Sequence, residues 1–175
     1  MCIICKNNYD DNLTKLYLNN CKQIKEIPNL PNLQQLYCAN TEIKEIPILP
    51  NLQTLYLNNC KQIKEIPNLS NLQYLKCDNI YIKEIPILPN LQELYCSNTE
   101  IKEIPILPNL LILNCENTKI KEIPILPNLV ILNCKNTKIK EIPILPNLQE
   151  LYCDCLLYTS PSPRDTERSR MPSSA

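Results

Sequence analysis

The chain has 175 residues and zero formal net charge, with 18 basic against 18 acidic side chains, and it contains no Gly, His, Trp or Phe. Without Gly there is no glycine loop to cradle a phosphate or dinucleotide, and without His there is no Ser-His or Cys-His nucleophile pair and no histidine-containing metal cluster. Neutrality leaves no electrostatic pull toward nucleic acid or acidic lipid, so neither is expected as a partner, and no cofactor or small-molecule substrate is expected.

The first element is residues 1–12, read as an N-terminal cap. Its apolar stretch, Met-Cys-Ile-Ile-Cys-Lys, is too short for a signal-peptide core. Eleven cysteines without such a leader suggest a reducing, cytoplasmic setting, of the source or of a host cell. In that setting the sequons at Asn12 and Asn68 are incidental. Cys2 and Cys5 form a lone C-x-x-C. Zinc asks for four ligands; Cys21 is an available third and no His exists as the fourth, so the pair is a weak metal signal.

From Leu13 the chain repeats itself. Leu13, Leu33, Leu52, Leu72, Leu91, Leu110, Leu129 and Leu148 each open a unit of 19 or 20 residues with the consensus L-x-x-L-x-C-x-N-T-x-I-K-E-I-P-I-L-P-N. A fixed period near twenty predicts a solenoid in which each unit is one turn and neighbours bury a continuous core. Seven units and an incomplete eighth span residues 13–154. A short parallel strand is expected at positions 3 to 5, with positions 4 and 6 inward, and eight strands spaced roughly 4.8 Å apart make a sheet about 35 Å tall. In the 20-residue units the additional residue falls in the turn after the strand, before Ile24 and Ile63, so the inward set keeps its phase. Positions 6 and 9 trade volume: Leu18 and Leu57 accompany Cys21 and Cys60, whereas Cys38, Cys96, Cys115 and Cys134 accompany threonines. The position-6 cysteines stack near disulfide distance, but buried cysteine behaves as a small hydrophobe, and that is the reading taken.

The back of each unit, I-P-x-L-P, holds two prolines three residues apart, which suits an extended polyproline-II return and excludes a helix. Ile48, Ile87, Ile106, Ile125 and Ile144 form a row there, expected to be semi-buried packing. The Lys-Glu pairs from Lys25 and Glu26 to Lys140 and Glu141 are expected to form a solvated, self-neutralising rim.

These motifs together resemble the leucine-rich repeat family. The short units with extended backs are similar to the type in secreted bacterial effectors, and the Asn-, Ile- and Lys-rich wording to repeat proteins of giant DNA viruses and their amoebal hosts. The resemblance implies an α/β-class solenoid that is mostly β: a parallel concave sheet, an extended convex side and few or no helices. One departure is that the family's buried Asn at position 9 is replaced by Thr or Cys, while Asn stands at position 8 (Asn20, Asn40, Asn59, Asn79, Asn98, Asn117 and Asn136). The loop ladder is then built either by Thr hydroxyls and backbone or by the shifted Asn side chains.

After Asp154 the register fails. The segment 155–175 holds all three arginines (Arg164, Arg168 and Arg170) and five serines, and resembles translated sequencing adapter at the end of an assembled fragment; the other reading is a native disordered tail. On the first reading the natural protein continues past Asp154, since a solenoid needs a capped end.

Function is expected on the outward face of the concave sheet. Position 5 reads Tyr17, Tyr37, Tyr56, Lys76, Tyr95, Asn114, Asn133 and Tyr152, and tyrosine is rigid, amphipathic and enriched at protein interfaces. The competing reading is strand propensity and self-stacking. Units six and seven replace polar residues with Leu111, Ile112, Val130 and Ile131, expected as one exposed apolar patch. The leading expectation is a non-enzymatic module that binds a protein partner through these residues. The alternative, drawn from the effector resemblance, is the recognition half of an enzyme such as a ubiquitin ligase with its catalytic domain beyond residue 154.

Overall fold

At positions 3 to 5 of every unit a leucine stands between two residues that tolerate water, and a period of two fits a pleated strand with one face covered. The computed structural model describes Ile4, Tyr9, Asp10 and residues 12–154, and in it each unit forms that strand. They are β1 (Lys15–Tyr17), β2 (Gln35–Tyr37), β3 (Thr54–Tyr56), β4 (Tyr74–Lys76), β5 (Glu93–Tyr95), β6 (Ile112–Asn114), β7 (Ile131–Asn133) and β8 (Glu150–Tyr152). They pair in chain order as one 8-stranded parallel sheet. No helix occurs among the described residues. The register is unit on unit: Leu16 stands opposite Leu36, Leu36 opposite Leu55, and so to Leu132 opposite Leu151. The 20-residue units do not shift it, so their insertion is absorbed outside the strand, as the spacing predicts.

Backbone pairing reaches past the three strand residues. Gln34 donates to Thr14 O at 2.8 Å before the strand, and Asn20 donates to Ala39 O at 2.8 Å after it. Each unit therefore contributes a ladder longer than its nominal strand, which satisfies the main chain across the whole sheet.

The core is one cluster. Position 4 (Leu36, Leu55, Leu75, Leu94, Leu113) and position 6 (Cys38, Leu57, Cys77, Cys96, Cys115) are fully buried, together with the isoleucines and leucines of the back. Burying each leucine contributes about 1.5–3 kcal/mol, so a unit gains most of its stability from neighbours rather than from itself. The cysteines are free thiols inside this core.

The turn after the strand resolves the open question about asparagine. All seven position-8 asparagines are left-handed, with φ between 52 and 64°. In a chain without glycine, Asn is the residue that best tolerates this region. Across units the loop is tied by main chain, as in Asn40 N to Asn58 O (2.8 Å) and Asn98 N to Glu116 O (2.9 Å). Within a unit the Thr hydroxyl closes the turn, Thr99 donating to Cys96 O and Thr118 to Cys115 O at 2.8 and 2.7 Å. Shifted Asn side chains add exposed links between the first three units, Asn40 to Asn20 and Asn59 to Asn40.

A second ladder lies at the other corner. There Leu-Pro-Asn-Leu makes a β-turn, with Leu52 N on Leu49 O at 3.1 Å, and proline sits where its fixed φ starts the turn. The Asn of that turn reaches back one unit: Asn51 to Pro31 O, Asn90 to Ser70 O, Asn109 to Pro89 O and Asn147 to Pro127 O, at 2.8–2.9 Å.

The back has neither helix nor strand, and its peptide bonds are trans. Its isoleucine row corrects the expectation of semi-buried packing. Ile48, Ile87, Ile106, Ile125 and Ile144 are 67–81% exposed, because the flanking Ile and Leu of each I-P-I-L-P already fill the interior and the residue between must point out. The Lys-Glu columns are exposed along their length. The ion pairs within 4 Å among the described residues lie outside those columns, at Lys76–Asp78 and Lys119–Glu100.

Candidate partner-binding surface

Positions 3 and 5 of each strand flank an inward leucine, so both project from the open face of the sheet. At 4.8 Å strand spacing, identical aromatic side chains on adjacent strands are forced to stack. Tyr17 and Tyr37 have ring centroids 4.8 Å apart and planes 11° apart; Tyr37 and Tyr56 follow at 4.7 Å and 27°.

Unit four carries Lys76 in the column, yet the stack does not break. Tyr74, at position 3 of the same strand, leans across and stacks on Tyr56 at 4.8 Å, then meets Tyr95 at 5.5 Å, tilted by 34°. Five rings thus run unbroken from Tyr17 to Tyr95. Tyr74 was not among the residues singled out from sequence. The signal for it was the exchange within β4, tyrosine at position 3 where lysine stands at position 5.

Lys76 is diverted rather than displayed. Its Nζ lies 3.9 Å from Asp78 and 5.4 Å from the Tyr95 ring centre. Asp78 also accepts the Ser97 N–H at 2.8 Å; burial nevertheless holds its carboxyl above the usual range, the Ser97 and Lys76 contacts opposing. Beside it Asn58 Oδ1 is buried with no hydrogen-bond partner, although Asn58 Nδ2 reaches Asp78 at 3.4 Å.

Packing of ring on ring changes the phenols. Burial raises Tyr37 and Tyr74, and it pushes Tyr95 up to about 12, helped by the hydroxyl's bond to Glu93 at 3.1 Å. Tyr37, Tyr74 and Tyr95 are therefore neutral phenols at neutral pH.

Asn114 and Asn133 stand in the column on β6 and β7, low and tied to neighbours. Asn114 Oδ1 accepts Ser97 Oγ at 2.9 Å, and Asn133 Nδ2 donates to Glu116 at 3.1 Å. Tyr152 resumes the column on β8, 45% exposed, its hydroxyl donating to Glu150 at 2.9 Å. The apolar patch expected from Leu111, Ile112, Val130 and Ile131 is smaller than foreseen. Leu111 is exposed, whereas the other three are half-buried by their strand neighbours, Ile112 lying against Ile131 in register.

Away from this face, clefts repeat between successive Lys-Glu-Ile-Pro segments, one of about 800 Å³ between the segments at Lys121–Ile123 and Lys138–Ile144. Each is lined by ammonium, carboxylate and alkyl groups, with no nucleophile beside a base. Among the described residues no three His, Cys, Asp or Glu side chains gather to hold a metal; Cys2 and Cys5 lie outside those residues. Among the described residues no helix is long and apolar enough to cross a membrane.

The core thiols are unequal. Burial pushes Cys38, Cys77 and Cys96 well up, whereas the Cys38 thiol, opposed by burial and aided by Thr41, brings Cys60 down to about 6. Cys60 Sγ sits 3.0 Å from Cys38 O and 3.4 Å from Thr41 Oγ1.

Compared with known families, the chain matches a model described as Leucine Rich repeats (2 copies) three times, over residues 11–51, 50–90 and 89–128. No curated protein sequence matches it.

Proposed function

Because this chain belongs to the leucine-rich repeat family, we propose that its array, residues 13–154, holds a protein partner on the open face of the sheet. Repeats of this family generally mediate protein–protein interaction and are typically non-enzymatic scaffolds. The observation that carries the reading is the unbroken tyrosine stack from Tyr17 to Tyr95. Its rings cover one another's faces, so what is offered outward is a ribbon of ring edges and hydroxyls. Such a ribbon suits an extended contact with another polypeptide better than stacking of bases or sugars, which needs free faces.

Preorganisation is the mechanism. The main chain is fixed by the ladder and the rings by their neighbours, so association costs chiefly the partner's own freedom and the ordering of rim side chains.

The test compares three immobilised proteins: wild type, the triple variant Tyr37→Ala, Tyr56→Ala, Tyr95→Ala, and a back-face control, Ile87→Ser with Ile106→Ser. Circular dichroism checks that each keeps its sheet. The proteins captured by wild type should be lost on the triple variant and kept on the control. Capture that survives the triple substitution overturns the assignment.

A further inference from the structure

The tyrosine column has a gap of two strands between Tyr95 and Tyr152, where Asn114 and Asn133 lie low in its place. We propose that this notch receives one aromatic side chain from a loop of the protein partner, a deepening that rests on the sheet-face reading above.

The geometry is that of a stack with a missing member. From β5 to β8 is three strand spacings, about 14 Å. Lys135 Nζ already covers the ring of Tyr152, 5.6 Å from its centre. That leaves about 9 Å between Tyr95 and the ammonium, room for a single ring roughly 4.8 Å from Tyr95 and roughly 4 Å from Nζ. Tyr74 and Lys76, both on β4, are the partners of the Tyr95 ring, and the notch opens on its β6 side.

The electrostatics select the occupant. An aromatic ring is negative on its faces, so it stacks in register with the column on one side and meets a cation on the other. An aliphatic group would gain neither. Ile112 and Ile131, half-buried and side by side, supply an apolar flank. The floor stays low because the asparagine amides are engaged by Ser97, Glu116 and the Lys135 N–H rather than standing upright. Phenol or indole fits this site, with its polar tip at the open mouth.

The chain has no Trp, so a blocked Gly-Trp-Gly peptide reports on itself by fluorescence. Titrating the chain should give a saturable blue shift with a dissociation constant of about 1 mM, the scale one buried ring supports. The filled variant Asn114→Tyr with Asn133→Tyr closes the notch with the residue that five other strands carry at this position, and should weaken binding about tenfold or more. On wild-type protein, methyl shifts from the same peptide should fall on Ile112 and Ile131. Equal binding by both proteins, absence of saturation, or shifts confined to the back-face isoleucines overturns the proposal. Partner capture lost on the tyrosine triple variant but unchanged on the filled variant would sink the notch alone and leave the sheet-face reading standing.

Discussion

Asparagine does three separate jobs here, and each follows from where its side chain and φ are held. At position 8 it takes a left-handed turn that a chain without glycine must give to some residue. At the Pro-Asn corner it is a donor linking each unit to the carbonyl of the one before. In β6 and β7 it is a short polar plug in an aromatic column. The turn role gives a sharp test. Asn98→Ala keeps the Cβ but loses the short polar side chain that makes a left-handed residue tolerable, and should cost about 1–2 kcal/mol, while Asn98→Gly, with no Cβ, should stay within a few tenths. Urea unfolding of both variants measures it, and equal losses would show that side-chain hydrogen bonding, not φ, fixes the residue. The sequence alone left two candidates for the loop ladder because Thr and Asn are both competent donors. Only the sign of φ and the short reach of the Thr hydroxyl to its own unit separate them.

At the scale of the strand, regularity is both signal and blind spot. The inward leucines, the in-phase insertion and the strand at positions 3 to 5 are legible because period two against a 19–20-residue repeat leaves one arrangement that buries them. Tyr74 escaped because bookkeeping by column assumes that each ring stays on its own position. Diagonal neighbours on a sheet are close enough for aromatic side chains to cross between columns. The isoleucine row was misjudged for a different reason: each back already sends an Ile and a Leu inward, and the Ile that follows the first proline has no interior left to fill.

The stacked strands also make a pH prediction. Tyr95 titrates near 12 in the fold against 10.0 for a free phenol, so the folded state favours the neutral ring. Its contribution is whole below pH 10 and is lost as pH climbs toward 12, since over that window the unfolded chain has released the proton and the folded one has not. Absorbance titration of the phenols, followed alongside far-ultraviolet circular dichroism, should show a late-ionising fraction that shrinks in Tyr95→Ala and keeps the contribution of Tyr74. A single midpoint near pH 10 for every phenol, with the sheet intact, would contradict it.

Across the whole molecule, each unit touches mainly the next, and stability, register and surface are all copied along one axis. That is why the family was readable from a period and its consensus, whereas the side-chain arrangement of the outward face was readable only in outline: the core is dictated by what must be dry, while the outward face is free to vary from strand to strand. The variation, in five stacked tyrosines, a diverted lysine and two asparagines, is where the proposed binding surface lies. The central claim is that those tyrosines form a single ribbon on one face, and oxidative coupling tests it most directly. One-electron oxidation joins tyrosine rings in contact, and mass spectrometry of the digested monomer identifies the pairs. The structure predicts links between Tyr17 and Tyr37, Tyr37 and Tyr56, Tyr56 and Tyr74, and Tyr74 and Tyr95, with none to Tyr81, which stands outside the column under Lys64. Links to Tyr81 in place of these, or Tyr56 joined to Tyr95 with Tyr74 left out, would contradict it.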